Sequence, residues 1–265
     1  KYYKEPIILI DTFINYYNSK IINTYGEKFV DKVNNKKNVF FVPSFAYVSL
    51  FSLPKVLLNL LNNNKYIFKE EFTSFFDLFN CLTIFLRKKK FKNNFTKLGG
   101  WNLTDIVNSE ISNMNSFDSI VGGLINYRFA KALSKQKVPV KKVINWFENQ
   151  SRDKGWNFGF RQYHKKCKVI GYQGSAYFPH YVHISPSNYE FNAKIVPNKI
   201  IVIGELYKKV RKEFCSKIKI ITGPAIRFNQ NFKRYSGKKI YNILFVFSGI
   251  REFDEILLEK AIFVA

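Results

Sequence analysis

The sequence predicts an α/β protein built on a largely parallel sheet. Short apolar runs rich in β-branched residues alternate with longer segments of helical periodicity, as in residues 6–10, 13–33 and 38–42. The order strand, helix, strand implies crossover connections between parallel strands. In residues 146–227, polar residues and glycines follow the strand-like runs, which is where ligands of parallel sheets bind. These observations predict a ligand site at the ends of the strands.

The first half of the chain is predicted to form two strands and several helices. The strand at residues 6–10 ends at Asp11, and the strand at residues 38–42 is closed by Pro43. The spacing of apolar residues predicts helices over residues 13–33, 46–61, 70–90, 102–114 and 116–136. We therefore expect two parallel strands joined through a helix, followed by a helical stretch.

The second half repeats the rhythm of strand and helix. Strands are predicted at residues 143–147, 168–171, 199–203, 217–221 and 241–247, and helices at residues 152–165, at residues 206–214 and from residue 251 onward. An irregular connection before Pro197 predicts a boundary between an N-terminal domain, residues 1–196, and a second domain, residues 197–265. The second domain has only about three strands against the usual five or six. We therefore expect two Rossmann-like domains, the second truncated, in a chain that is a fragment.

The net charge of the chain indicates its class of partner, and its cysteines indicate the cellular compartment. The 265 residues include 43 Lys and Arg against 19 Asp and Glu, a formal charge of +24, so nucleotides, anionic lipids, acidic glycans and nucleic acids are the expected partners. The alternative is a solvated basic surface without a specific partner. Three widely spaced cysteines with no Cys-x-x-Cys pair favour neither disulfides nor zinc, and fit a reducing cytosol.

The segment at residues 70–90 joins an apolar stripe to a basic end. Its apolar residues are Phe72, Phe75, Phe76, Phe79, Leu82 and Leu86, and the run RKKKFK follows at residues 87–92. This combination suits a helix that rests on an anionic membrane surface. The alternative is that the stripe faces the core and the lysines are a solvated helix end. No transmembrane helix or signal peptide is predicted.

Candidate residues for chemistry cluster after the predicted strands. Glu148 follows the strand at residues 143–147, where a carboxylate can act as a general base; the alternative is that it caps the next helix. Arg161 on that helix is a candidate anion ligand. His180 and His183 have no third metal ligand at a suitable spacing, so no metal site is predicted. Three later strands end in Gly204, Gly223 and Ser248.

These pieces in this order resemble the GT-B glycosyltransferases of bacterial surface-carbohydrate biosynthesis, the enzymes that build capsule and lipopolysaccharide. The resemblance rests on WFENQSRDKGWNFGFR, KVIGYQGSAYFPHYVHISPSNYE, PNKIIVIGELYKK, GPAIRF and YNILFVFSG, and it covers residue 143 to the end of the chain. It implies two Rossmann-like domains that face each other across a cleft. The first would bind the acceptor and the second the nucleotide-sugar donor, without a metal or another cofactor.

The resemblance also assigns roles to individual residues. Glu148 is the candidate base that deprotonates the acceptor. The candidate acceptor or anion ligands are Asn149, Arg161, Gln173 and His180, and the candidate donor-site residues are Gly204, Glu205, Gly223, Pro224, Arg227, Ser248 and Gly249. The expected partners are a nucleotide-sugar donor, a glycan or glycolipid acceptor and an anionic membrane surface.

Three other hypotheses stay open, and one of them is a noncatalytic peripheral scaffold, for which Glu148→Gln would leave the cellular glycan unchanged. A nucleotide-sugar epimerase or a polyol-phosphate transferase would use the same scaffold and would be distinguished by its product. A basic nucleic-acid-binding protein would show binding that weakens steeply as salt rises. We expect a cytoplasmic enzyme, at least in part peripheral at the inner face of the cytoplasmic membrane.

Overall fold

The computed structural model describes residues 3, 5–84, 86, 97–98, 100–113, 117–177, 181–228 and 251–264. The chain divides into two compact units, Lys1–Asn229 and Gln230–Ala265. The strands are β1 (Ile7–Tyr17), β2 (Lys20–Asn23), β3 (Val39–Phe45), β4 (Lys97–Leu98), β5 (Trp101–Asn102), β6 (Val140–Trp146), β7 (Lys168–Tyr172), β8 (Lys199–Val202) and β9 (Lys219–Thr222). The helices are α1 (Glu27–Asn34), α2 (Leu53–Leu61), α3 (Phe75–Leu82), α4 (Thr104–Asn113), α5 (Phe117–Lys135), α6 (Ser151–Tyr163), α7 (Asn188–Asn192), α8 (Glu205–Phe214) and α9 (Arg251–Val264).

Parallel strands form the body of the main sheet in the order β3-β1-β6-β7-β8-β9, and β2 pairs antiparallel with the end of β1. The chain leaves β1 for β3 on one side and later places β6 on the other side. The strand order therefore reverses between β1 and β6, and such a switch point opens a crevice at the carboxyl ends of the strands. This arrangement is that of a Rossmann-like α/β fold, and it confirms the predicted α/β class.

The two faces of the sheet are both covered, as a parallel sheet requires. Side chains of β1, β6 and β7 pack on one face with α5 and α6, in a cluster that includes Leu9, Val143 and Phe160. Alternate residues of the same strands pack on the other face with α1 and α2, in a cluster that includes Ile10 and Trp146. A third cluster packs residues of β8 and β9, including Ile200 and Ile220, with Phe147 and Cys215.

The first strand is longer than predicted and turns back through a hairpin. Asn18 and Ser19 both have positive φ, 47° and 61°, which is the backbone of a tight two-residue turn, and Tyr17 pairs with Lys20 beside it. The helix predicted over residues 13–33 is therefore wrong for most of its length. Only Glu27–Asn34 is helical, because the residues before it are taken up by strand pairing.

The third strand continues through Pro43, which was predicted to close it. Val39–Phe45 pairs along its length with β1, and on its other side the described residues contribute only an isolated bridge between Phe41 and Tyr66. Pro43 lies beyond that bridge. Because it has no N–H to donate, it is tolerated where no second neighbouring strand needs one.

The predicted helices are confirmed in part. α5, α6 and α8 agree with the prediction to within about two residues at each end, which is the ordinary uncertainty of helix ends. The helix predicted over residues 46–61 begins only at Leu53, where Pro54 occupies the first turn. Within residues 70–90, the described helix is α3. Its N-terminus is stabilised by a capping box, in which the side chains of Ser74 and Asp77 each accept from the backbone N–H of the other residue. Residues 87–92 lie outside the described residues.

Glycines allow α5 and α6 to pack with their backbones in contact. A Cβ atom on Gly155 would lie 1.8 Å from the carbonyl oxygen of Gly123, and one on Gly159 would lie 2.8 Å from the Cβ of Ala130. No side chain larger than hydrogen fits at Gly155. The close packing brings the start of α6, and with it the end of β6, against the helix that covers the sheet.

The structure places no domain boundary at Pro197, contrary to the prediction. β8 follows Pro197 and pairs with β7, which precedes it, and β9 extends the same sheet. The chain divides instead between Asn229 and Gln230. In the unit Gln230–Ala265 the described element is α9, and the strand predicted at residues 241–247 lies outside the described residues.

Candidate active site

Four neighbouring strands end at residues that the sequence analysis singled out. Glu148 comes soon after β6, Gln173 follows β7, Gly204 comes after β8 and Gly223 follows β9. Because these strands are parallel and adjacent, their carboxyl ends lie along one edge of the sheet, called here the carboxyl edge. These four candidate residues therefore lie along one sheet, and not on two sheets that face each other across a cleft.

Three hydrogen-bond donors hold the carboxylate of Glu148. Its Oε1 accepts from the indole Nε1 of Trp146 at 2.9 Å and from the hydroxyl of Tyr177, and its Oε2 accepts from the amide of Gln150 at 2.9 Å. Burial and the neighbouring Glu148 carboxylate raise the pKa of Tyr177, so the phenol remains a donor. The carboxylate is half-buried and has a fixed orientation at the end of β6. A carboxylate held in one orientation at the end of a strand is suitably placed to act as a general base.

The turn after β7 makes room for the indole that orients Glu148. A Cβ atom on Gly174 would lie 1.9 Å from the ring of Trp146, so only glycine fits beneath the indole. The glycines that follow the strand-like runs predict a ligand site at this edge. In the structure, Gly174 admits a side chain of the protein and acts on the site through Trp146.

Asn149 connects the end of β6 to a neighbouring segment. Its φ is 58°, a left-handed conformation that Asn adopts more readily than most residues. Its amide nitrogen donates to the carbonyl of His183 at 3.0 Å, and its Oδ1 accepts from Lys154 at 3.3 Å. Lys154 also pairs with Glu190. The amide of Asn149 is thus engaged in holding the turn that presents Glu148.

Arg161 lies away from the carboxyl edge. Its guanidinium donates to the carbonyls of Val196 at 2.9 Å and Phe191 at 3.4 Å, and it stacks on the Phe191 ring. Val196 precedes β8, so these contacts lie toward the amino-terminal ends of the strands. The structure therefore does not bring Arg161 together with Glu148 as an anion ligand.

Gln173 is fully buried at the end of β7. Its amide nitrogen donates to the carbonyl of Ser175 at 3.0 Å, and its Oε1 has no hydrogen-bond partner among the described residues. Beside it, the hydroxyl of Tyr172 donates to the carbonyl of Pro224 at 3.0 Å and accepts from the N–H of Ile226 at 2.8 Å. Pro224 therefore serves to connect the segment after β9 to β7.

The remaining candidates lie at the ends of β8 and β9. Gly204 caps α8, whose first residue, Glu205, is exposed and accepts from the hydroxyl of Thr222 and from Lys208. Gly223 has no room for a side chain, because a Cβ atom would lie 2.3 Å from Ile201. Exposed Arg227 lies in a short 3₁₀ helix, Ile226–Phe228. His180, Ser248 and Gly249 lie outside the described residues.

A buried group of charged side chains, which the sequence analysis did not identify as a site, lies at the same edge near the switch point. Asp11 on β1 interacts electrostatically with Lys69 and Arg152, and more weakly with Asp153 on α6. The ammonium of Lys69 donates to Ser44 Oγ at 2.9 Å. Asp11, Lys69 and Asp153 are each less than a tenth exposed. Sequence offered one signal: Asp11 follows the apolar run at residues 7–10 directly.

Burial shifts the pKa values of this group. It raises the pKa of Asp153 to about 7, helped by the charges of Asp11 and Glu148, and opposed by two backbone N–H groups that bind the carboxylate. Burial also raises the pKa of Asp11, against the attraction of Lys69 and Arg152. It lowers the pKa of Lys69. A carboxyl group with a pKa near 7, such as that of Asp153, can exchange protons near neutral pH.

Several buried polar atoms here have no hydrogen-bond partner among the described residues. They include Asp11 Oδ1, both side-chain polar atoms of Asn145 and Gln173 Oε1. Asn145 is the residue before Trp146 on β6, and its strand partner is Gly171. Unpaired buried polar atoms are costly and concentrate at functional sites. None of these atoms is exposed, so a ligand would reach them only through an ordered water or after the edge opens.

Within the described ranges, no group of three or more His, Cys, Asp or Glu side chains could hold a metal ion. No described helix is long and apolar enough to cross a membrane. Comparisons with known protein families, with curated proteins and with solved structures found no match to this chain.

Proposed function

We propose that the carboxyl edge binds the sugar acceptor of a glycosyltransferase, with Glu148 as the general base. The observation that carries the proposal is the position of Glu148: its carboxylate is held by three donors at the end of β6, beside the switch point. Open α/β sheets bind their ligands at this place. The resemblance of the sequence to GT-B enzymes supplies the class of reaction.

The proposed reaction is a displacement at the anomeric carbon of a nucleotide sugar. The acceptor hydroxyl oxygen forms the new glycosidic bond while the bond from the anomeric carbon to the phosphate oxygen breaks. The nucleotide leaves with that electron pair. Glu148 takes the hydroxyl proton, which increases the nucleophilicity of the oxygen as the bond forms.

The buried polar group near the switch point would position the acceptor. Once the edge opens to admit the acceptor, the oxygens of Asp11 and Gln173 and the amide of Asn145 would offer both donors and acceptors to sugar hydroxyls. Lys69 compensates the charge of Asp11 from within the protein. Such a set suits a polyhydroxylated ligand better than an apolar one, because an apolar ligand would leave these groups unpaired.

The donor site in this proposal differs from the one that the sequence predicts. Gly204, Glu205, Gly223 and Pro224 lie on the same edge as Glu148, so they would contact the side of the donor that faces the acceptor. Arg227 stays a candidate for binding the phosphates of the donor. Ser248 and Gly249 stay candidates from the sequence alone, since they lie outside the described residues.

The acceptor we propose is a surface polysaccharide or a glycolipid, assembled on the cytoplasmic side of the membrane. A glycolipid acceptor would hold the enzyme at the inner face of the cytoplasmic membrane. The proposal involves no metal, since the phosphates would be neutralised by basic side chains and by backbone N–H groups.

Nucleotide release tests the proposal. The protein is incubated with a panel of nucleotide sugars, with and without extracts of surface glycan or glycolipid, and free nucleotide and glycosylated product are measured. We expect release that depends on both one donor and one acceptor, with product in equal amount. The absence of any acceptor-dependent release across the panel would refute glycosyl transfer, and an isomerised sugar nucleotide would indicate an epimerase.

A further inference from the structure

The helix α3 is oriented with its apolar side outward. Asp77 and Asn80 turn toward the protein, where Arg128 of α5 donates to both, at 3.2 Å and 3.1 Å. Cys81 is buried on the same side. A surface helix of a soluble protein normally shows the opposite arrangement, with its charged residues in water and its apolar residues in the core.

The outward side of α3 is a continuous aromatic patch. Its members and their exposed fractions are Phe75 (77%), Phe76 (81%), Phe79 (57%) and Leu82 (52%). The ring of Phe75 contacts those of Phe76 and Phe79, with centroids 6.4 Å and 6.5 Å apart. Only Phe72, before the helix, packs in the core. Contiguous exposed apolar surface of this kind marks an interaction site.

Basic side chains lie on the side of α3 that faces α5, and none of the four patch residues lines the pocket there. A shallow pocket between α3 and α5 is lined by Asp77, Arg128, Lys131 and Lys135, so three cations meet one acid. Arg128 pairs with Asp77, which leaves the surplus of positive charge on the two lysines. Lys135 is exposed and Lys131 is half-buried. We refer to the aromatic patch and these two lysines as the α3 surface.

We propose that the α3 surface docks on an anionic lipid bilayer, with the phenylalanines among the acyl chains and the lysines at the phosphates. Exposed aromatic side chains beside cations are the combination that binds such interfaces. A second copy of the chain is the weaker fit, because a symmetric pair would bring the lysines of both copies together in a protein of charge +24. This inference does not depend on glycosyl transfer.

Vesicle flotation tests the proposal. The protein is mixed with vesicles of phosphatidylcholine alone or with phosphatidylglycerol added, at several salt concentrations. We expect binding only to the anionic vesicles. The triple variant Phe75→Ser, Phe76→Ser, Phe79→Ser should bind at least about tenfold more weakly, because it has lost the inserting side chains. The double variant Lys131→Gln, Lys135→Gln should bind several-fold more weakly and respond less to salt.

The controls replace an exposed apolar residue and two exposed lysines that lie outside the α3 surface. Leu206→Ser changes another exposed apolar side chain, and Lys141→Gln with Lys168→Gln removes two exposed charges from strands of the main sheet. Both controls should bind like the wild type. Unchanged binding by the triple variant would overturn the proposal. So would a wild type that ignores vesicles but dissociates into monomers when the phenylalanines are replaced, since the surface would then be a dimer interface.

Discussion

Asp153 has two roles at the candidate site: it holds the turn that carries Glu148, and its own carboxyl has a shifted pKa. Its Oδ2 accepts from the backbone N–H groups of Glu148 at 2.8 Å and Gln150 at 3.1 Å, so it fixes the turn from which Glu148 projects. The same carboxyl is buried near Asp11, and burial raises its pKa to about 7. The residue that shapes the turn therefore changes its charge near neutral pH.

Asp153→Asn should flatten the pH dependence of stability. Between about pH 5 and 7 the folded carboxyl holds a proton that the unfolded chain has released, because its unfolded pKa is near 4. The free energy of unfolding of the wild type should therefore fall as pH rises through this window, by up to about 1.4 kcal/mol per unit from this group. Asn can accept the same two N–H bonds but cannot ionise.

Urea denaturation at several pH values measures this effect. The slope for Asp153→Asn should be smaller by close to one proton, whereas a control at exposed Glu213, Glu213→Gln, should keep the wild-type slope in this window. Equal slopes for the wild type and Asp153→Asn would mean that the buried carboxyl ionises at its ordinary pKa.

At the scale of elements, the close contact between α5 and α6 fixes the position of both helices on the sheet, and so the position of the start of α6 next to the carboxyl edge. Gly155 touches the backbone of Gly123, and the buried ring of Phe160 packs against Phe129 one turn further on. Helices in such close contact cannot shift to accommodate a new side chain without moving their backbones.

Gly155→Ala should destabilise the protein by about 1–3 kcal/mol or more, because its methyl group would overlap a backbone oxygen. The matched control is Gly204→Ala, since a Cβ atom there meets nothing closer than Tyr207 at 3.7 Å. That control should cost at most about 1 kcal/mol, because Ala is a poorer N-cap of α8 than Gly but meets no overlap. Chemical denaturation measures both. A Gly155→Ala protein as stable as Gly204→Ala would show that the two helices do not pack this closely.

Local sequence patterns predicted the helices and strands whose apolar residues follow a single clear periodicity. They failed where pairing with other strands determines the secondary structure. The helix α6 follows from its pattern, and the strands β7 and β8 were predicted nearly to their ends. The segment at residues 13–23 has an apolar spacing that a helix would also satisfy. It is extended because β1 pairs with β2 and β3, and that pairing depends on residues far along the chain.

Some residues of the candidate site could likewise be predicted from the sequence, and others could not. Glu148 and Gln173 could be found from the sequence, since each is the first prominent polar residue after a strand-like run. Lys69 could not, because it lies in a short 3₁₀ helix and reaches Asp11 only through the fold. Arg161 was misleading: it lies on the helix that follows Glu148, but nearly three turns of that helix carry it toward the opposite ends of the strands.

For the whole molecule, the main correction concerns the division of the chain. The sequence analysis read the strands after Pro197 as the beginning of a second sheet, because a proline-rich connection precedes them. They extend the first sheet, and the division falls after Asn229. The carboxyl edge accordingly gains two strands. Gly204 and Gly223, which the resemblance assigns to an opposing donor wall, lie on the same edge as Glu148, two and three strands away.

The most direct test of the account compares transfer by Glu148→Gln and Glu213→Gln. Gln is nearly isosteric with Glu and can still accept from Trp146 and Tyr177, but it cannot take a proton. If Glu148 is the base, kcat should fall by about 100-fold or more, with little change in the KM for the acceptor. Glu213→Gln, an exposed change elsewhere, should retain wild-type activity. Transfer by Glu148→Gln within about twofold of the wild type would contradict the account.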